Sequence, residues 1–386
     1  MAGAVVVTLV YLIGLGIVYP ALPFQALALG ASPIQVSLIL VTDTAMVLLL
    51  APALGRLSDR FGRRGVTCLA LATAPFAYLM LAYADSLLWL FAARALAGVS
   101  NAAIPVIQAL MADSTCDRRR VWGMANVNSA FAIAFIIGPL LGREWLLGPE
   151  GTDYRAGALG AAGFAVLAVI LAAALLREAR RPAPVQRLVV HDPASVIAAP
   201  LCLGPIAVMA VLAFAYASME TTLGLWSARI LAWGAADVAL AFMCAGIAAL
   251  FSLWVLIPVL CHRLGEEVVA AGAALSMGLG MSLFVVWPSD LAIAIALMLL
   301  GGGIATSLSC LQALLSKAAP PSIQGTAMGL NHAVLSAARI VGPVWGGFAL
   351  GSLGSGWPYL SGAALALMAL LMTIWIYRPR PQTAGR

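Results

Sequence analysis

The chain has 386 residues, 63% of them hydrophobic and 9% charged, with a formal net charge of +6 and a mean hydropathy of +1.02. So little polar material excludes a water-soluble globule, whose apolar share is about half. Apolar runs long enough to cross about 30 Å of hydrocarbon recur along the whole length, and no barrel-like alternation is present, so the chain reads as an all-α integral membrane protein.

About twelve spans are expected, centred near Leu12, Val47, Phe76, Ala102, Ile133, Leu167, Val211, Ala249, Ser276, Ile304, Ala338 and Met368. The first begins almost at Met1, with neither a basic leader nor a small-residue cleavage site, and reads as a retained helix. Short cytoplasmic loops collect Lys and Arg. With the N-terminus inside, sixteen of the 21 cations fall on inner loops and tail, Arg143, Arg155 and Arg229 fall outside, and Arg94 and Arg339 lie within spans. Both termini are therefore expected in the cytoplasm and the chain in the inner (plasma) membrane. The positive charge then reflects topology and anionic lipid, with no nucleic-acid footprint. Cys68, Cys116, Cys202, Cys244, Cys261 and Cys310 show no CxxC spacing. They imply neither disulfide nor metal site and read as small buried apolar residues.

The longest polar interval, REARRPAPVQRLVVHDPASV from Arg177 to Val196, follows the sixth span. It divides an N-terminal six-helix half (1–176) from a C-terminal one (200–378), with a cytoplasmic linker (177–199) between them and a cytoplasmic tail (379–386). The halves repeat. At a constant offset of 204, Gly98 falls on Gly302, Gln108 on Gln312, Met124 on Met328, Gly138 and Pro139 on Gly342 and Pro343, and Gly142 on Gly346. Two pseudo-symmetric halves of like orientation form a parallel repeat, an arrangement that places a midplane site between rocking halves.

Between the second and third spans stands GRLSDRFGRR, Gly55 to Arg64, a dense charge cluster. It resembles the loop 2/3 signature of the major facilitator superfamily. RALAG (Arg94 to Gly98) resembles that family's fourth-helix Arg motif, and GPLLG (Gly138 to Gly142) its fifth-helix GPxxGG antiporter motif, with Ala134 and Arg143 in place of two of its glycines. TLVYLIGLGIVYPALP (Thr8 to Pro23) and METTLGLW (Met219 to Trp226) are similar to the first and seventh helices of tetracycline/proton antiporters and related multidrug exporters. The resemblance covers the whole chain. It implies alternating access, a proton gradient as the energy source and no cofactor.

In GRLSDRFGRR, Gly55 and Gly62 are expected to permit a tight turn and close helix approach. Asp59, Arg60 and Arg63 offer charge-assisted hydrogen bonds to helix ends and to an acidic partner, for which Asp113 at the end of the fourth span is the candidate. By resemblance this cluster is a cytoplasmic gate; a solvated basic loop is the plainer reading. In the second half LCHRLGEEV puts Glu266 and Glu267 where the first half has Arg63 and Arg64, so the two tips are expected to attract when the inside closes. Gly138, Pro139 and Gly142, with Gly342 and Pro343, serve either helix bending or close packing.

Asp43, Arg94, Glu220 and Arg339 stand at membrane depth. Isolated charges there cost at least about 2.5 to 3.5 kcal/mol each, so they should pair or face a polar cavity. They are either structural ion pairs or the machinery of proton coupling, with Asp43 or Glu220 carrying the proton. Tetracycline exporters have an acidic residue in the first helix where this chain has Tyr11, and Asp43 is the candidate to take over that role. Helical periodicity aligns Arg94, Asn101 and Gln108, then Tyr216 and Glu220, then His332, Ser336 and Arg339. These residues, with Tyr11 and Trp226, are the candidate substrate cavity; Tyr19 and Phe24 would add apolar wall. His332 reads as a hydrogen-bonding residue, with no metal expected.

No HExxH, GxSxG or GxxxxGK[ST] pattern occurs, and no enzyme activity is expected. The sequence reads as a secondary active transporter exporting a small amphiphilic or drug-like compound in exchange for protons. Its expected partners are that substrate, protons and membrane lipid, with a monomer sufficient. A proton-coupled importer of a small organic nutrient or chelate stays open, as does a non-transporting membrane receptor or scaffold.

Overall fold

A computed structural model describes the backbone of residues 2–113, 117–148, 151–178, 200–320 and 324–377; the side chains of 112–128, 145–152, 200–201 and 324–325 fall outside the described set. Eleven helical stretches among the described residues are long and apolar enough to cross a membrane. They are the first span Ala2–Ala28, second Pro33–Phe61, third Arg63–Ala82, fourth Leu87–Met111, sixth Tyr154–Leu175, seventh Cys202–Ile230, eighth Ala235–Leu264, ninth Glu266–Val286, tenth Asp290–Ala318, eleventh Thr326–Ser352 and twelfth Trp357–Ile376. The helix Asp117–Leu146 holds the expected fifth span. A two-residue antiparallel ladder, Leu147–Gly148 with Gly151–Thr152, is the one piece of β-structure among the described residues.

Local chemistry sets where these helices begin, break and turn. Ser32 caps the second span in a capping box with Gln35, and Pro33 occupies its first position. The third and fourth spans each break once, at Ala72 and Ala102. Each break lies three residues before a proline, Pro75 and Pro105, where the ring removes a backbone donor and crowds the preceding turn. In the eighth span the response differs: the helix widens into a π turn over Ser252–Leu256, just before Pro258. Gly62 (φ 99°) and Gly265 (φ 85°) make the same left-handed turn between the second and third and between the eighth and ninth spans, a backbone repeat that only glycine enters without strain.

In lipid, helices hold together by close packing at small residues. A Cβ on Gly138 would stand 2.7 Å from Cα of Gly16, and one on Gly142 would stand 2.8 Å from the carbonyl oxygen of Ile17. In the second half Gly342 and Gly346 meet the carbonyls of Phe214 and Ser218 in the same manner, at 2.6 and 2.8 Å. Pro139 and Pro343 lie inside helices that continue unbroken. Of the two readings of the GP motifs, close packing against the first and seventh spans is the one the contacts carry. The bundle's outer surface is apolar, with Leu88, Val286 and Trp375 each more than 70% exposed, as a lipid-facing surface requires.

Arg60, Arg63, Arg64, Arg263 and Lys317 mark the basic end of the bundle. Across the halves, Gly347 of the eleventh span approaches Ser37 and the Pro33 carbonyl, and Gly224 of the seventh approaches Pro23 and Phe24; both contacts lie at the opposite end. Arg339, and His332 on its basic-end side, remain exposed. The cross-half glycine contacts at Gly347 and Gly224 thus join the halves at the end opposite the basic one.

Gly98 and Gly55 separate packing from open surface. A Cβ on Gly98 would crowd Met46 and stand 2.8 Å from the Asp43 carbonyl, whereas one on Gly55, inside the second span, would meet nothing within 4 Å. The expectation that Gly55 serves a turn or close approach is thus not met. Gly98→Val is expected to lower the thermal unfolding midpoint in detergent, at about 1 to 3 kcal/mol of overpacking. Gly55→Ala should raise it slightly, by up to about 1 kcal/mol of helix propensity.

Candidate functional site

The contact at Gly98 brings the fourth span onto the second at Asp43. One turn earlier on the same face, Arg94 Nη2 lies 2.7 Å from Asp43 Oδ2, with both residues buried. Asn101 Nδ2 donates to the same oxygen at 3.0 Å, and its Oδ1 accepts from the Tyr11 hydroxyl at 2.6 Å. The Tyr11 hydroxyl also meets Ser100 Oγ at 2.9 Å. One carboxylate thus ties the first, second and fourth spans. Arg94 Nε has no hydrogen-bond partner among the described residues, so the cation's bonding is incomplete. A buried pair of this kind returns roughly its desolvation cost while intact, and leaves an expensive bare charge when one partner is lost.

Glu220 presents a different environment. It is half-buried on the seventh span, one turn beyond Tyr216, and lines a cavity of about 190 Å³ with Phe131, Phe135, Tyr216, Phe242 and Ile304. Tyr19 joins this wall through edge contacts to Phe135 and Phe242, at centroid distances of 6.0 and 5.9 Å. Arg339 stands within Coulombic reach of Glu220, as does Asp43, but among the described residues Glu220 makes no direct ion pair. Of the four charged residues expected at membrane depth, Asp43 and Arg94 are closed into a pair, and Glu220 and Arg339 make no direct ion pair with each other among the described residues.

The other expected residues divide. Asn101 joins the Asp43 cluster, while Gln108 on the same stripe is half-buried outside it. Tyr216 lines the cavity. His332 is exposed beside Ser336, whose hydroxyl is spent on the His332 carbonyl at 2.9 Å. Tyr11 and Trp226 do not line the cavity. Tyr11 is consumed by the buried network, and Trp226 packs against Phe284 and Tyr359, at 5.0 and 5.3 Å between ring centroids. The reason is angular: six residues carry Trp226 about 240° round the helix from Glu220.

At the basic end Asp59 pairs with Arg63 at 3.0 Å one turn on, and Arg63 Nη1 also donates to Ser58 Oγ at 3.2 Å. Arg60 lies over the Phe61 ring, 5.3 Å from its centroid. The acidic partner on view is Glu178, just beyond the sixth span. Its carboxylate accepts the backbone N–H groups of Arg63 and Arg64 at 2.7 and 3.1 Å, capping the third span, and it would collide with any Cβ on Gly62. The Asp113 side chain lies outside the described residues, as do 179–199 of the linker and 378–386.

In the second half Lys317 donates to both oxygens of Glu266 at 2.7 Å, so Glu266 is engaged within its own half in this state and does not reach across. Lys317 falls on Asp113 at the 204-residue offset. The second half thus carries, with charges exchanged, the pairing expected of Arg63 and Asp113. The internal repeat would have pointed to Lys317. Glu178 gave no signal except its place three residues past a helix.

Residues 4–267 and 255–386 match the family model described as Major Facilitator Superfamily. The class D tetracycline resistance protein of Salmonella ordonez is 28% identical over 99% of this chain and 98% of its own length. The class C protein of Escherichia coli is 30% identical over 93% and 92%. Among solved structures, the nucleoside transporter NupG superposes with a TM-score of 0.75 at 12% identity, covering 98% of this chain and 99% of that one.

Arg94→Ala should lower stability by about 3 to 5 kcal/mol, because it strands Asp43 in a buried site. The double variant Asp43→Asn/Arg94→Gln should lose markedly less than the sum of its single changes. A double-mutant cycle on thermal unfolding midpoints measures the difference.

Proposed function

This chain belongs to the major facilitator superfamily, and we propose that within that family of transporters it exports a small amphiphilic compound in exchange for protons. The observation that carries the reading is the Asp43–Arg94 pair at the junction of three helices. Protonation of Asp43 removes the charge that holds Arg94 and weakens the acceptor that holds Asn101, so one proton loosens the first, second and fourth spans from each other. In this account Asp43 takes the place of the first-helix acid of tetracycline exporters: Tyr11, which stands at that acid's position, reaches Asp43 through Asn101.

Glu220 and Arg339 supply the cargo side. Neither is spent on the other in this state, and the aromatic walls beside Glu220 suit a fused-ring, amphiphilic molecule of tetracycline's kind with a cationic or hydrogen-bonding group. Because basic loops stay in the cytoplasm, the basic end is read as cytoplasmic, with both termini inside and the chain in the inner membrane. Antiport requires that occupation of the cargo site and protonation of Asp43 oppose one another, a coupling that is reciprocal between the two sites.

Inside-out vesicles with an acidified lumen and an internal pH dye test the reading. Added tetracycline should raise the lumenal pH, as substrate enters and protons leave. Asp43→Asn or Glu220→Gln should abolish the response while the protein still folds. A lumen that loses no protons, or takes substrate and protons in the same direction, would overturn it.

A further inference from the structure

The eighth and tenth spans run side by side in the same direction and bring together two cysteines 49 residues apart, with Sγ of Cys261 3.6 Å from Sγ of Cys310. Their meeting has a structural cause. Gly302 of the tenth span packs on Ser252 of the eighth, where a Cβ would stand 2.8 Å from Ser252 Oγ. From that contact the tenth span needs eight residues to reach Cys310 and the eighth needs nine to reach Cys261. The extra residue is taken up by the π turn Ser252–Leu256, which turns Cys261 onto the tenth span. Cys310 is 2% exposed and Cys261 is half-buried.

We propose that Cys261 and Cys310 are a thiol-oxidation site whose disulfide locks the basic-end segment of the eighth span to the tenth. A disulfide bond is about 2.05 Å long, so closure needs each sulfur to move less than about 1 Å. The oxidant is a small-molecule disulfide. The thiolate of Cys261, the more accessible group, attacks one sulfur of it, breaking that S–S bond; the first small thiolate leaves and takes up a proton. Cys310, giving up its proton, attacks Sγ of Cys261 and expels the second small thiolate, which is protonated in turn. Two protein thiols lose two electrons and two protons, and the small disulfide becomes two thiols.

The site is placed to matter. The Glu266–Lys317 pair already ties the ninth span to the tenth at this end, so the disulfide would join all three. The same eighth and tenth spans supply Ala245, Ala249, Gly301 and Ile304 to the wall behind Glu220. Fixing them to each other below the π turn removes a hinge from that wall.

The full chain in nanodiscs, treated with oxidised glutathione, tests both parts. Non-reducing peptide mapping should show a Cys261–Cys310 link that dithiothreitol reverses, absent from Cys261→Ser and Cys310→Ser but present in Cys68→Ser. Amide exchange over residues 252–264 should slow by about tenfold in the linked form. Glutathione adducts without the internal link would overturn the site, and a link that leaves exchange unchanged would overturn the lock.

Discussion

A carboxylate and a guanidinium cannot stand alone in hydrocarbon, and the arrangement of the N-terminal half follows from satisfying Asp43 and Arg94 together. The pair is made by geometry more than by attraction. Gly98 removes the side chain that would keep the second and fourth spans apart, and only at that separation does Arg94 reach Asp43. Once formed, the pair recruits Asn101 and, through it, Tyr11. A cluster with one acid at its centre and three helices at its edge responds as a unit when that acid gains a proton.

The two halves solve one packing problem with different chemistry. Glycines at matched positions set the first span on the fifth and the seventh on the eleventh, and a left-handed glycine turns the chain at Gly62 and at Gly265. On that shared backbone the charges are exchanged: the first half puts arginines after its glycine, the second puts Glu266 and Glu267. Repeating the frame while inverting the charge keeps the two basic-end tips from repelling each other, and leaves each with a partner close by, Glu178 in one half and Lys317 in the other. The Glu266–Lys317 bridge is exposed on the lysine side, so it costs little to exchange for another partner.

The buried charges are asymmetric in the same way. The N-terminal half holds a closed ion pair; in the C-terminal half Glu220 and Arg339 make no direct ion pair with each other among the described residues. A closed pair has its bonding satisfied within the protein, and an unpaired charge keeps bonding capacity.

Hydropathy, proline and glycine placement and the internal repeat are local properties of the chain, and they set the long apolar helices, the glycine frame that recurs in both halves and the basic end. A helix in lipid must satisfy its own backbone, so span positions need no knowledge of neighbours. Which side chains meet is another matter, because no hydrophobic force orders helices within a bilayer, and their rotation and separation are set by small residues and bulges. Gly98 chose the partner of Arg94; a single extra residue in a π turn brought Cys261 to Cys310, where spacing alone implied isolated thiols. The same rotation turned Trp226 into an aromatic core and left Glu220 in the cavity. Glu178, placed by sequence in a linker, became the cap of the third span because the fold brings the end of the sixth beside Gly62. Residue order alone thus established which groups are costly to bury, and the folded bundle decided how each cost is met, since only packing fixes which groups lie within hydrogen-bonding distance.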